Sequence, residues 1–145
     1  MVSIGVADMV MAKGEIEALL KEARIGVFAT IKKDGAPHMS PMWYIWEDEA
    51  IKMWTSISYS KCKNVLRDSR CSFCVSKDDP PYKGVVMHGK AEASKEGVRE
   101  VAYKIVRRYL GPEEGEKYVQ QGLGSDSVII KFIPQGSYSW DYGKG

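Results

Sequence analysis

The chain has 145 residues, with 21 Lys and Arg against 19 Asp and Glu, for a net charge of +2. That length suits one domain with a self-sufficient core, and 44% apolar with 28% charged residues excludes a disordered chain. The charge is too small for a nucleic-acid coat, and the longest run free of Asp, Glu, Lys and Arg, Gly35–Trp46 with twelve residues, is too short to span a bilayer.

Residues 1–12 read as an N-terminal arm and 13–145 as a single domain. The arm has no basic start, and Asp8 interrupts its apolar residues, so no secretory leader is expected. Ile16, Leu19, Leu20 and Ala23 recur at i, i+3, i+4 and i+7, which predicts an amphipathic helix over 13–24. Ile25–Lys32 is β-branched and apolar and reads as a strand, Asp34-Gly35 as a hairpin turn, and Ala36–Trp46 as the return strand. Met42–Trp46 is apolar on both faces, so one face meets a core and the other needs cover from a second subunit or a ligand. Pro37 and Pro41 lack the N–H a central strand needs, which puts this strand at an edge or a bulge. Glu47-Asp48-Glu49 is the next turn, and Ala50–Ser56 the third strand.

Ser60 is the predicted N-cap of a short helix continuing through Arg67. Cys71–Ser76 is strand four. Its C-x-x-C pair, Cys71 and Cys74, points to opposite faces, which suits small buried thiols and neither a shared metal nor a disulfide. Three cysteines, an odd number, suit a reducing cytoplasm. Asp78–Pro81 is a loop, and Tyr82–Ala93 a fifth strand with Gly89 inside it. Ser94 is the predicted cap of a helix whose face is Val98, Val101, Ala102, Ile105 and Tyr109. Gly111-Pro112 ends that helix and starts another, which stops near Gly122. Val128–Ile133 is strand six, Pro134-Gln135-Gly136 interrupts, and Ser137–Tyr142 is the last strand. The order does not alternate as βαβ, so the fold is mainly antiparallel β with added helices, a small barrel or α+β.

Three segments are candidates for chemistry. In Thr55–Asn64, a strand ends in hydroxyls and a helix begins with Ser60, Lys61 and Lys63; free N–H groups and two lysines suit a phosphate. The same residues are also what a capped surface helix with solvated lysines looks like. Pro41-Met42-Trp43-Tyr44, with Trp54, suits either a flat wall for a ring-shaped ligand or core and interface packing. Ser137–Tyr142 carries aromatics that either close the barrel or reach a partner. His38 and His88 belong to no recognisable triad, and the glycine-rich nucleotide motifs are absent.

Taken in order, Val27-Phe28-Ala29-Thr30, Asp34-Gly35-Ala36-Pro37, Ser40–Tyr44, Met53–Ser56, Ser60–Asp68 and Val85–Ala91 resemble the pyridoxamine 5′-phosphate oxidase-like split-barrel flavoproteins. The nearest branch is that of short single-domain proteins using FMN or the deazaflavin coenzyme F-420. The resemblance implies a six-stranded antiparallel split barrel, a homodimer with cofactor at the subunit interface, and an oxidoreductase acting on a small molecule. It carries Tyr59, Ser60 and Lys61 to the cofactor phosphate, with Lys63 and Asn64 beside it. It carries Pro41, Met42, Trp43 and Tyr44 to the strand whose backbone lies along the ring, Thr55 and Ser56 to the ring edge or ribityl chain, and Trp140 to the place where a C-terminal residue of the partner subunit approaches the ring. No protein acid or base is implied in the hydride step. The oxidase's Arg-rich C-terminal segment is not matched, Ser40-Pro41 stands where it has an Arg, and Gly84 where it has a Gln. The implication is therefore flavin binding rather than pyridoxamine phosphate oxidation. A non-catalytic carrier or sensor of flavin, haem or another planar ligand is the alternative on the same barrel. Nucleic-acid binding is disfavoured, because the aromatics do not interleave with basic residues.

Overall fold

Alternating apolar and polar residues build one antiparallel sheet. The structure, a computed structural model, describes residues 9–144, so most of the expected arm lies outside the described residues. Its strands are β1 (Gly26–Ile31), β2 (Pro37–Met42), β3 (Ile45–Glu47), β4 (Ala50–Ser56), β5 (Arg70–Lys77), β6 (Lys83–Ser94) and β7 (Ser127–Asp141). They lie in the order β2-β1-β5-β6-β7-β4-β3. The helices α1 (Lys13–Leu20), α2 (Ser60–Arg67), α3 (Val98–Leu110) and α4 (Pro112–Gly122) are added to this sheet. This is the expected mainly-β split-barrel architecture.

The sheet has seven strands because the expected return strand breaks at Trp43-Tyr44. There the backbone turns to α3: the Tyr44 N–H donates to the Tyr109 hydroxyl at 3.2 Å, and the Tyr44 carbonyl accepts from Arg108 at 2.5 Å. Both groups are thus withdrawn from any strand ladder. β2, with its two prolines, is an outer strand of the sheet, as its missing N–H groups require. Conversely, the two expected C-terminal strands are one. Gly89 pairs with Pro134 and His88 with Gly136, so Gln135 is the extra residue of a bulge that lets β7 bend and continue.

Local signals set the turns. Gly35, at φ +90°, closes the β1–β2 hairpin, and the Asp34 carboxylate accepts the Ala36 N–H at 3.0 Å. Helix α1 stops at Leu20 rather than at 24. The Leu20 carbonyl accepts from the Tyr44 hydroxyl at 2.9 Å, and the Glu22 carbonyl accepts from Arg108 at 2.6 Å. Ser94 ends β6 and does not cap α3; its hydroxyl accepts the Glu96 N–H, and Gly97 holds the N-cap position.

The core lies on one face of the sheet. Phe28, Tyr44, Phe73 and Phe132 are fully buried there, with Phe73 at the centre: ring centroids lie 5.2 Å from Tyr44, 6.2 Å from Phe132 and 6.3 Å from Phe28. Each such side chain contributes on the order of 1.5–3 kcal/mol by burial. Met11 is buried against the same core, and its N–H donates to Ser139 Oγ at 3.0 Å. A smaller cluster, Ala102, Val106 and Val119, joins α3 and α4 and packs against Trp43 and Trp54.

Candidate functional site

The hydroxyl-rich end of β4 and the start of α2 face the C-terminal end of α4 across a cavity of about 550 Å3. Thr55, Ser56, Ser58, Tyr59 and Lys61 line one side; Tyr118, Gln121 and Gly122 come from α4, and Asp126 from the loop before β7. Met42, Trp54 and Tyr118 are shared with a second cavity of about 270 Å3, whose other walls are Pro41, Trp43, Ile105 and Val106. The two spaces share walls, one end hydroxylated and cationic, the other apolar and aromatic.

The polar end has specific features. Burial pushes the Lys61 ammonium below the usual lysine value, and its Nζ lies 5.0 Å from the Tyr59 ring centroid. Among the described residues Lys61 forms no ion pair. The Thr55 hydroxyl is buried without a hydrogen-bond partner. Such a group is costly to leave unpaired, on the order of 1–3 kcal/mol. In the same cavity, the Ser56 hydroxyl donates to Asp126 Oδ2 at 2.6 Å and accepts the Ser58 N–H at 3.2 Å. The Asp126 carboxylate disfavours an anion beside it, whereas Lys61 and the α2 N-terminus favour one. At the apolar end, Trp43 stacks on Tyr109 at 4.9 Å with an interplanar angle of 7°. Trp54 and Tyr118 meet edge to face at 6.1 Å. A ligand with an anionic tip and a flat apolar body fits this donor set: a partly dehydrated cation, an unpaired hydroxyl and aromatic walls.

The expected site residues are only partly brought together. Met42, Thr55, Ser56, Tyr59 and Lys61 share the larger cavity, and Pro41 and Trp43 line its neighbour. Tyr44 does not join them: its side chain is fully buried, with its hydroxyl on Leu20 and its backbone on Tyr109 and Arg108. Ser60 is the first residue of α2, not its cap; Tyr59 holds the cap position, without a side-chain bond. Ser60, Lys63 and Asn64 line a different pocket on the other side of the helix. Asn64 is buried there, donating to Thr30 Oγ1 at 3.0 Å and accepting from both Nη atoms of Arg67. Trp140 lines neither cavity. Its indole fills the space a side chain at residue 84 would need, so Gly84 stands where the ring packs. Ser58, Tyr118, Gln121, Gly122 and Asp126 were not foreseen as site residues. Ser58 sits inside the quoted hydroxyl run, whereas the other four reach the cavity only through the packing of α4 and the loop after it.

A family model described as pyridoxamine 5′-phosphate oxidase matches residues 12–141. A conserved hypothetical protein from Mycobacterium tuberculosis is 33% identical, with a TM-score of 0.84, covering 95% of this chain and 89% of that one. A protein named as an F-420 reductase is 24% identical with a TM-score of 0.71, over 88% of this chain and 98% of its own. The haem storage protein of Vibrio cholerae has a TM-score of 0.68 at 18% identity, over 86% and 92%. The last two likenesses are of fold. No helix of the described residues is long and apolar enough to cross a membrane.

Proposed function

Because the chain belongs to the pyridoxamine 5′-phosphate oxidase family, we propose that it is a homodimeric oxidoreductase using FMN, or the deazaflavin coenzyme F-420, on a small organic substrate. The observation that carries the reading is Lys61, half-buried and without an ion pair among the described residues, in one cavity with the unpaired Thr55 hydroxyl. Lys61, Thr55 and Ser58 would hold the cofactor's phosphate end, and Met42, Trp43, Trp54 and Tyr118 would flank its ring. When bound, such a cofactor supplies hydride transfer. The chain's own residues bind it, orient it and exclude water from the aromatic end. An anion beside Lys61 restores the ammonium that burial disfavours. Three free cysteines, two of them buried, suit a reducing cytoplasm.

The sheet supports the dimer. Pro41, Val27, Cys74, Val86 and Tyr138 are successive register partners across β2, β1, β5, β6 and β7. They form a mostly apolar row on the face turned away from the core, and Tyr138 is 63% exposed. A second copy of the chain covers such a row with the same surface, as a two-fold interface requires.

The test is an absorbance titration of purified chain with FMN and, separately, with the deazaflavin. One of the two is expected to be taken up tightly. Lys61→Ala should weaken that uptake by about 1.5–3 kcal/mol, the loss of a charged hydrogen bond. Unchanged affinity overturns the phosphate assignment. A cofactor that binds but is neither reduced nor reoxidised with any donor or acceptor replaces the oxidoreductase by a carrier.

A further inference from the structure

We propose, resting on the oxidoreductase reading above, that Asp126 selects the substrate: a small molecule whose polar group is a nitrogen cation, an amine or an amidine. Asp126 is the only acidic residue among the described residues that line the Lys61 cavity. It is exposed, so an entering ligand reaches it. Among the described residues neither Asp126 nor Lys61 forms an ion pair, with the other or with any further residue. Two opposite charges thus share one cavity of about 550 Å3 without neutralising each other. An anionic group at Lys61 satisfies only one of them. With a cofactor phosphate there, the carboxylate is the charge left over, and it favours a cation beside it.

The carboxylate is fixed in place. Its Oδ2 accepts the Ser56 hydroxyl at 2.6 Å. Its backbone is tied to the end of β4, where the Asp126 carbonyl accepts the Ile57 N–H at 2.9 Å. Ser127 closes the turn around it: its hydroxyl accepts the Gly124 N–H at 3.0 Å, and its N–H donates to the Gly124 carbonyl at 3.1 Å.

The other carboxylate oxygen is left open. A Cβ at residue 124 would stand 3.1 Å from Oδ1, so glycine there keeps a side chain off this atom. An ionised carboxylate only accepts hydrogen bonds, so its ligand must donate. A cationic donor makes the stronger bond. The aromatic lining favours the same sign of charge. Trp54 and Tyr118 also line the cavity, 6.1 Å apart, and ring faces attract cations. Tyr118 belongs to α4 and Asp126 to the loop after it, whereas Lys61 belongs to α2. The cation and anion positions are therefore set by different parts of the chain.

The probes are benzamidine, its neutral isostere benzamide and its anionic isostere benzoate. Each is titrated calorimetrically into the full chain, alone and with FMN or the deazaflavin present. Benzamidine is expected to bind at one site per chain, roughly tenfold or more tighter than the other two. Asp126→Asn keeps an oxygen for the Ser56 hydroxyl and removes the charge. It should erase the preference without weakening cofactor uptake. Lys61→Ala should leave benzamidine binding undiminished, and benzamidine should bind as well with cofactor present as without. No benzamidine binding, benzamide or benzoate binding as tightly, a preference that survives Asp126→Asn, or displacement of benzamidine by the cofactor would each overturn the proposal. A chain that takes up neither cofactor, yet shows a preference that Asp126→Asn erases, overturns the oxidoreductase reading and keeps Asp126 as the cation-selecting residue.

Discussion

Arg108 shows what one side chain does at the junction of three segments. Its guanidinium donates to the carbonyls of Tyr44 and Glu22, and lies 5.0 Å from the Tyr44 ring centroid. Those bonds end α1 early and hold the Tyr44 side chain in the core, away from the two cavities. The cysteines are likewise decided by burial: Cys71 is pushed up to about 12 and is therefore a protonated, unreactive thiol at neutral pH. Asp68, at the end of α2, shows the opposite shift. The Arg70 guanidinium and N–H hold its carboxyl down at about 2, against 3.8 unpaired. A carboxylate whose folded value is depressed adds stability that is complete above 3.8 and disappears as pH falls toward 2. Urea unfolding should therefore find the parent more stable than Asp68→Asn at pH 7, with the gap narrowing as pH falls below 3.8 toward 2. A gap independent of pH would show that the pair with Arg70 is not what stabilises.

At the scale of elements, α2 serves two cavities from two faces. Cys62 and Val65 are buried in the core, Lys61 turns to the β4 side, and Ser60, Lys63, Asn64 and Arg67 turn to the hairpin. The helix is only eight residues long, so packing and side-chain anchors rather than propensity hold it. Asn64→Ala removes the partner of Thr30 Oγ1 and of Arg67 together and should cost about 1–3 kcal/mol in denaturant unfolding. Parent-like stability would mean that Cys62 and Val65 alone dock the helix. Helices α3 and α4 are a second element-level device. Gly111, at φ +84°, ends one and caps the next, and Pro112 opens α4. That sharp joint lays α4 back over Trp54, where Gly122 leaves room for the indole.

For the whole molecule, the decisive feature is that the sheet buries one face and leaves the other with an apolar row ending at Tyr138. The dimer proposed above covers that row, and a charge in it should be intolerable there. Val86→Asp is expected to elute as a monomer by light scattering and to bind cofactor more weakly than the parent. A folded Val86→Asp protein that stays dimeric would move the interface elsewhere. So would a parent chain that is monomeric at micromolar concentration.

Much of the fold was legible in the sequence because its signals are local. Period-two runs marked most strands, Asp34-Gly35 and Gly111-Pro112 marked joints, and three-residue spacing put Cys71 and Cys74 on opposite faces, one buried and one half-buried. The same local pattern could have divided α2, since Ser60, Lys63, Asn64 and Arg67 already share a helical face while Lys61 does not. What the sequence could not decide depends on partners distant along the chain. Tyr44 is turned inward by Arg108 and Tyr109 from α3, and β7 stays whole because its bulge lies opposite Gly89. The larger cavity exists because α4 brings Tyr118 and Gly122 against Trp54, some sixty residues away in the chain. Residue types and their periods determine which faces are apolar and which turns are possible. Only the packed structure decides which of those faces meet, and so which lysine meets a hydroxyl and which meets other cations.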